Sequence, residues 1–482
     1  MSPTVRGALV WSFAERYASL IVTVASTMVL ARLLTPLQVG IFSLCAAVTT
    51  IAGILRDFGV SEYLIQEKDL TRDKLRAAFG IAIVIAWSIG AIIFSTRGLV
   101  ASYFGEPGVA DVLAVLSLNF LILPFTSPAF ALLNREMAFR KIFVIQITSN
   151  TVQSGAAVGL AYAGFGYMSL AWAPVAGILV QTLLVGCYRP RDSFLLPSLK
   201  NSDSVLRYGS MFVTSRVIET LTRNAHEFVI AKQFGFASVG LFSRAFGLLE
   251  LFYNNVSAAI LRVATPSFAN DYRAGRDLAE AFARGTAIFT SVAWPFFAFV
   301  ALMAKEIVSF LFGSQWDAAA PIASILALAM MPGYLYTLGP NLLSATGNVA
   351  RRLKISLQYS PVHLAGIFIA SFFGLQAVAA VWGLSQLVML ALYTYHLRQI
   401  LNWSARQLFK PSLSSAWVSA ACAASQALAA WGCRAANLPS LATLLLVAVV
   451  GATIWMVVVR ATHHPVFEEM KKMTRRFSRE AT

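Results

Sequence analysis

The chain has 482 residues, of which 58% are hydrophobic and only 12% charged, and its formal net charge is +16. A water-soluble domain carries about a quarter of charged residues, so this composition excludes a soluble enzyme or binding module and points to a membrane protein. In a soluble chain the positive charge would suggest nucleic acid; here the placement of the charges gives it another cause, and no nucleic-acid partner is expected.

Apolar runs of about twenty residues, enough to cross a hydrocarbon core of roughly 30 Å, recur along the whole chain. They predict an all-α, polytopic fold with about fourteen transmembrane helices. The helices fall near 8–34, 39–61, 77–96, 110–133, 142–163, 168–188, 205–231, 238–262, 284–304, 319–345, 355–373, 376–397, 412–431 and 439–459. The first run is too long for a signal-peptide core and lacks a clear small-x-small cleavage pattern, so it is expected to stay as a span. The second is interrupted by Arg56-Asp57, and the thirteenth is an Ala-rich run. Loops are short, with no sizeable soluble insertion. After the last span, Phe467, Met470, Met473 and Phe477 share one side of a helix, interleaved with Lys471, Lys472, Arg475 and Arg476. That basic tail can lie on an anionic leaflet or remain solvated. The four cysteines, Cys45, Cys187, Cys422 and Cys433, lie in or beside spans without metal-ligand spacing and read as free thiols.

Lysine and arginine are retained in the cytoplasm. With the N-terminus placed inside, 28 of the 38 basic residues fall in cytoplasmic segments, four (Arg97, Lys232, Lys305 and Arg434) fall on the outer side, and the other six (Arg16, Arg32, Arg56, Arg216, Arg223 and Arg244) lie within or at the edges of spans. The alternation holds loop by loop, so both termini are expected in the cytoplasm.

The chain also contains itself twice. Val39-Gly-Ile-Phe-Ser43 returns as Val239-Gly-Leu-Phe-Ser243, and Arg16 meets Arg216, both at an offset of 200. Phe104-Gly105 returns as Phe312-Gly313, and Phe165-Gly166 as Phe373-Gly374, at an offset of 208. Six spans separate the copies, an even number, so they are parallel repeats. The expected organisation is an N-lobe of helices 1–6 over residues 1–190 and a C-lobe of helices 7–12 over 205–400. Two extra helices over 410–460 and the basic tail over 461–482 follow.

Ser12, Arg16, Ser19, Thr23 and Ser26 line one face of the first span, with Glu15 beside them. The corresponding stretch of the seventh span carries Arg216, Glu219, Arg223 and His226, with Glu227 adjacent. Charges at membrane depth are costly and face a cavity or a partner. A guanidinium fork in a low-dielectric cavity suits phosphate or pyrophosphate. Arg16, Arg216 and Arg223 are therefore the candidate anion-binding residues, with Arg56 near the inner interface and Arg244 in the eighth span. Glu15, Glu219, Glu227 and His226 are candidates for coupling to a cation or proton. The ladder in the seventh span can equally neutralise itself through pairs at i,i+3 and i,i+4, and Arg56 can simply snorkel. No phosphate-binding loop, His/Cys cluster or nucleophile–base motif is present, so neither catalysis nor a metal or other cofactor is expected.

Several stretches carry a family resemblance. Ala31-Arg-Leu-Leu-Thr-Pro-Leu-Gln-Val-Gly-Ile-Phe-Ser43 resembles the end of the first hairpin of bacterial oligosaccharide (Wzx-type) flippases and polysaccharide exporters. So do Asp57-Phe-Gly-Val60, Gln66-Glu-Lys-Asp-Leu70, Leu132-Leu-Asn-Arg-Glu-Met-Ala-Phe-Arg140, Gly240-Leu-Phe-Ser-Arg244, Ala264-Thr-Pro-Ser-Phe268 and Gly313-Ser-Gln-Trp-Asp-Ala-Ala-Ala-Pro321. Their order and spacing over residues 5–400 identify the chain as a member of the multidrug/oligosaccharidyl-lipid/polysaccharide superfamily. The resemblance implies two six-helix bundles working by alternating access, with a polyprenyl-pyrophosphate-linked oligosaccharide as cargo for exopolysaccharide, capsule or O-antigen synthesis. It implies pyrophosphate binding at Arg16 and Arg216, and membrane lipid, a polysaccharide polymerase and chain-length machinery as partners. Two other readings stay open: a cation-coupled multidrug antiporter of the same fold, and a non-transporting scaffold of a polysaccharide synthase complex. An antiporter for organic cations would favour unpaired carboxylates in the first lobe, and a scaffold would need no charged cavity face.

Overall fold

The computed structural model describes residues 3–57, 60–67, 69–189, 195–198, 203–401 and 405–471, and no strand occurs among them. Contacts divide the chain into two units, Met1–Gly240 and Leu241–Thr482. The first holds α1 (Pro3–Leu33), α2 (Pro36–Asp57), α3 (Val60–Gln66), α4 (Arg72–Phe104), α5 (Gly108–Ile122), α6 (Ser127–Arg135), α7 (Phe139–Tyr162), α8 (Tyr167–Tyr188) and α9 (Asp203–Phe234). α10 (Phe236–Phe252) starts there and runs into the second unit, which continues with α11 (Ala258–Arg273), α12 (Leu278–Leu302), α13 (Ala304–Phe312) and α14 (Ala320–Met330). α15 (Gly339–Ala345), α16 (Val349–Ala370), α17 (Leu375–Leu401), α18 (Ala405–Ala435) and α19 (Ser440–Ala461) complete it. The division falls at Gly240, so α9, which opens the second copy of the sequence repeat, packs with α2, α3 and α4 of the first unit.

Among the described residues, eleven stretches are long and apolar enough to cross a membrane. α7, α9 and α18, with 24, 32 and 31 residues, have the length but a more polar composition. At about 1.5 Å per residue each exceeds a hydrocarbon core of roughly 30 Å. Together these account for the fourteen expected helices. Local chemistry sets the ends. α4 starts where Thr71 accepts from the Lys74 amide at 3.3 Å, and stops at Gly105, whose φ of 73° suits glycine. The fourth span, expected as one helix over 110–133, is instead broken. Pro124 has no amide hydrogen to give, so α5 yields to a 3₁₀ turn over Leu123–Phe125 before α6 begins. The eighth, expected to end near 262, continues to Arg273 through a π-helical turn at Tyr253–Ser257. α2 ends at Asp57 and α3 begins at Val60, matching the interruption at Arg56-Asp57; residues 58–59 lie outside the described residues.

In lipid the hydrophobic effect does not press helices together, so close packing of small residues must. Gly383 of α17 lies against Ala329 of α14, where an added Cβ would sit 3.3 Å from the Ala329 Cα. The tightest approach joins the two copies of the repeated motif. A Cβ on Gly40 would lie 1.8 Å from the Phe236 carbonyl oxygen, and one on Gly240 would lie 2.0 Å from the Pro36 carbonyl oxygen. Residues 36 and 236, like 40 and 240, are 200 apart. The same contact is thus made twice, around a local two-fold relation between the starts of α2 and α10, inside the first unit.

The two extra helices pack on α12, which α18 and α19 both contact. Val418, Cys422, Val459 and Val466 form a buried cluster there, with Phe467 packed against it. Phe467 of the tail therefore meets protein; Lys472, Met473, Arg475, Arg476 and Phe477 lie outside the described residues. An ion pair of 2.6 Å between Arg284 and Glu469 fastens the same segment. Beside it, His464 is buried, accepts from the Val466 amide through Nδ1 at 3.3 Å, and donates through Nε2 to Ser415 Oγ at 3.1 Å. Ser415 in turn donates to the Ala287 carbonyl at 2.9 Å. The ring is thus held neutral, and burial pushes its pKa below the ordinary value. Release of the tail then takes up a proton. Stability that is full at neutral pH is lost as pH falls through the ordinary histidine range near about 6.5. Lowering the pH from neutral to about 5.5 should therefore raise proteolytic cleavage after Lys471, and His464→Gln, which does not titrate, should abolish that dependence.

Candidate functional site

The polar face of α1 rests against α7. Ser19 Oγ donates to Glu15 Oε1 at 3.3 Å and accepts from Asn150 Nδ2 of α7 at 3.0 Å. Trp11 tilts against Phe143 of α7 with ring centroids 5.2 Å apart, and the Arg140 guanidinium carbon lies 5.9 Å from the centre of the Trp11 ring. Arg16, one residue beyond Glu15, is half-buried, and its Nε is buried with no hydrogen-bond partner. A buried guanidinium N–H left unmatched is costly, so the protein's own groups do not satisfy this side chain. Asn150 was not singled out from the sequence; the signal was present, a carboxamide inside the fifth apolar run.

α9 presents the second set. Arg216 and Arg223 are exposed and Glu219 is half-buried, and each of the three has an interaction partner. One turn further, His226 and Glu227 are both buried, with Nε2 and Oε1 3.7 Å apart. Thr222 and Asn224 return their side chains to the Ile218 and Thr220 carbonyls of their own helix at 2.7 and 2.9 Å. The ladder therefore divides, with an accessible cationic part at 216–223 and a buried pair at 226–227.

Arg56 and Arg244 are placed differently. Arg56 donates to Asp57 Oδ1 from Nε at 2.9 Å and from Nη2 at 2.5 Å, and its guanidinium lies 5.7 Å from the centre of the Phe120 ring. The pocket it shares with Asp57, Val60, Ala82, Ala86, Pro124 and Ser127 has a volume of about 10 Å³. That is room for about one water and far too little for a pyrophosphate. Arg244 lies over two aromatic rings of the second unit, 5.4 Å from the Trp316 centroid and 5.7 Å from that of Phe312. Its charge meets ring faces, a cation–π brace on the Gly313–Pro321 segment.

Several basic residues counted for topology also fasten loops. Arg135 donates to the Leu64 carbonyl at 2.8 Å and to the Glu67 carbonyl at 2.5 Å, and Lys74 pairs with Glu67 at 2.8 Å. That ammonium holds the Glu67 carboxyl below the usual carboxylate range. Arg189 pairs with Glu136 at 2.6 Å and lowers its pKa likewise. Arg191 and Lys200 lie outside the described residues. Among the described residues no cluster of His, Cys, Asp and Glu could hold a metal ion.

Residues 29–321 match the model of the family described as polysaccharide biosynthesis protein. The chain belongs to this family. It is similar to the lipopolysaccharide biosynthesis protein WzxC of Escherichia coli K12, with 24% identity over 341 residues, 69% of this chain and 67% of that protein. It is also similar to the succinoglycan biosynthesis transport protein ExoT of Rhizobium meliloti 1021, with 25% identity over 343 residues, 68% of each. Among solved structures, the fold matches that of the lipid II flippase MurJ in an inward closed conformation. The TM-score is 0.74 at 11% identity, over 95% of this chain and 100% of that one. The family-matched segment contains Arg56, Arg216, Arg223 and Arg244, whereas Glu15 and Arg16 precede it.

Proposed function

We propose that this family member flips a polyprenyl-pyrophosphate-linked oligosaccharide across the bacterial inner membrane by alternating access, with Arg16 and Arg216 holding the pyrophosphate. The observation that carries the reading is Arg16: a cation half-sunk in an apolar helix, one N–H unmatched, beside a stripe of hydroxyls. An anionic headgroup cannot cross hydrocarbon unaided, and a guanidinium offers it a two-pronged donor. Arg216, at the matching repeat position, supplies a second donor, and Arg223 lies two turns further along the same helix. Arg56 is left out because its pocket of about 10 Å³ has no room for a pyrophosphate, and Arg244 because its guanidinium lies against the Trp316 and Phe312 rings of the second unit. Glu219, Glu227 and His226, with Glu15 on α1, are the groups whose protonation would tighten the grip on the anion, a route to coupling. The roles that the names of WzxC and ExoT give, lipopolysaccharide biosynthesis and succinoglycan transport, suit such a cargo. A polysaccharide polymerase and chain-length machinery would take the flipped product.

The orientation belongs to the same reading: both termini in the cytoplasm. Reporter fusions after Asn201 and Lys410 should read cytoplasmic and one after Gly105 periplasmic; the reverse at either of the first two sites would overturn it. Function is tested by depleting the protein in its host. Lipid-linked precursor should then accumulate in the cytoplasmic leaflet while export stops. Normal export on depletion would contradict the reading.

A further inference from the structure

The second unit contains a groove that the transport site does not use. Its volume is about 750 Å³, and among the described residues it is lined by Leu387, Leu390, Ala391, Thr394, Tyr395, Arg398 and Gln399. All seven belong to α17 and repeat at i, i+3 or i+4, i+7 or i+8 and i+11 or i+12, one stripe of a helix. The stripe is graded. Its first three residues are aliphatic, and Thr394, Tyr395, Arg398 and Gln399 make the other end polar.

The length of this gradient is informative. Leu387 lies at the middle of Leu375–Leu401, and Arg398 near its end. The eleven-position separation between them spans about 16 Å, close to half of a hydrocarbon core of roughly 30 Å. Among the described residues the lining therefore runs from about the bilayer midplane to one interface. That interface is the cytoplasmic one in the orientation proposed above, on which this inference rests.

The polar end is strongly positive. Arg398 is exposed. Arg351, at the start of α16, reaches across to Gln399 Oε1 at 2.9 Å and to the His396 carbonyl at 3.3 Å, which brings a second guanidinium to the mouth. Arg352 and Lys354 follow on the same helix.

We propose that this groove is a binding site for an anionic phospholipid of the cytoplasmic leaflet, with its phosphate at Arg398 and one acyl chain along Ala391, Leu390 and Leu387. Basic pockets at the cytoplasmic ends of membrane helices recognise anionic headgroups, and the volume lies within the range of small-molecule sites. A groove one leaflet long fits an acyl chain that ends at the midplane.

The test uses the purified full chain in detergent, titrated with phosphatidylglycerol or phosphatidylcholine and read by native mass spectrometry. Phosphatidylglycerol should stay bound under conditions that strip phosphatidylcholine. Arg398→Gln should raise the phosphatidylglycerol concentration for half-occupancy about tenfold, and Arg398→Lys should leave it within about threefold. Ala391→Trp, which fills the groove, should match Arg398→Gln; the latter alters only an exposed side chain, so the test survives misfolding of the former. Arg16→Ala should not change lipid binding, which separates this site from the proposed pyrophosphate site. Unchanged phosphatidylglycerol binding by Arg398→Gln would overturn the proposal. So would displacement by polyprenyl phosphate at a lower concentration than phosphatidylglycerol itself requires, which would assign the groove to the transported lipid.

Discussion

Replacing Arg16 by alanine is expected to stop glycan export, and replacing Arg216 is expected to do nearly the same. Hydrogen bonds to charged groups contribute about 1.5–3 kcal/mol each, and a guanidinium fork makes two of them. Loss of one fork should cost about 3 kcal/mol or more, roughly a hundredfold or more in occupancy of the bound state. Only binding that differs between conformations can drive a change between them, so weakened binding should appear directly as slower transport. Arg16→Lys keeps the charge but not the fork and should give an intermediate loss. Alanine at residue 16 also removes a group whose Nε is buried and unmatched, so the folded protein should not suffer. The measurement is complementation of a null strain with protein levels matched by immunoblot. Abundant protein with accumulated lipid-linked precursor is expected. Normal export by both alanine variants would make the charges of α1 and α9 structural.

Gly40→Ala and Gly240→Ala are expected to lose the folded protein rather than its activity. At each position the new methyl group would fall about 2 Å from a backbone carbonyl oxygen, Phe236 or Pro36. Carbon contacts are comfortable only near about 3.5–4.0 Å. No rotamer change relieves a clash with backbone, so the starts of α2 and α10 would have to separate. Overpacking costs about 1–3 kcal/mol even where side chains can yield, so each change should cost at least about 3 kcal/mol. Gly98 and Gly159 make the control, because an added Cβ there meets nothing within 4 Å. Alanine in those helices should be neutral or stabilising by up to about 1 kcal/mol. Membrane levels and thermal unfolding midpoints in detergent should fall steeply for Gly40→Ala and Gly240→Ala and hold for the controls. Equal stability of all four variants would show that the approach of these helices is not obligatory.

These two predictions differ in how far the sequence alone leads to them. The repeat at offset 200 marks Gly40 and Gly240 as equivalent, but equivalence does not say that they touch. That follows from the meeting of two helix starts, a long-range contact to which hydropathy patterns are blind. Periodicity places nearly every helix, because a bilayer demands a long apolar run whatever the tertiary contacts. It misplaces ends where backbone chemistry intervenes, as at Pro124 and at the π-helical turn over Tyr253–Ser257. The charged residues of α1 and α9 stand out because charge at membrane depth is rare. Their states do not: Arg56 and Arg16 look alike in the sequence, yet one is paired with Asp57 and the other keeps an unmatched N–H. Arg398 is legible only as one of many cytoplasmic cations. Its groove needs the graded stripe of α17, whose apolar half reads in isolation as an ordinary span.

The central claim is that the chain itself moves a pyrophosphate-linked glycan across a bilayer through Arg16 and Arg216. Reconstitution of the purified chain into vesicles tests it most directly. A polyprenyl-pyrophosphate-linked oligosaccharide is incorporated in both leaflets, and a glycan-cleaving enzyme added outside reports the fraction that reaches the outer leaflet. Wild-type vesicles should lose nearly all of the substrate, whereas empty vesicles and those with Arg16→Ala or Arg216→Ala should stop at about half. Loss of only about half with the wild-type protein, under the coupling gradients of the host membrane, or full loss with both variants, would contradict the account.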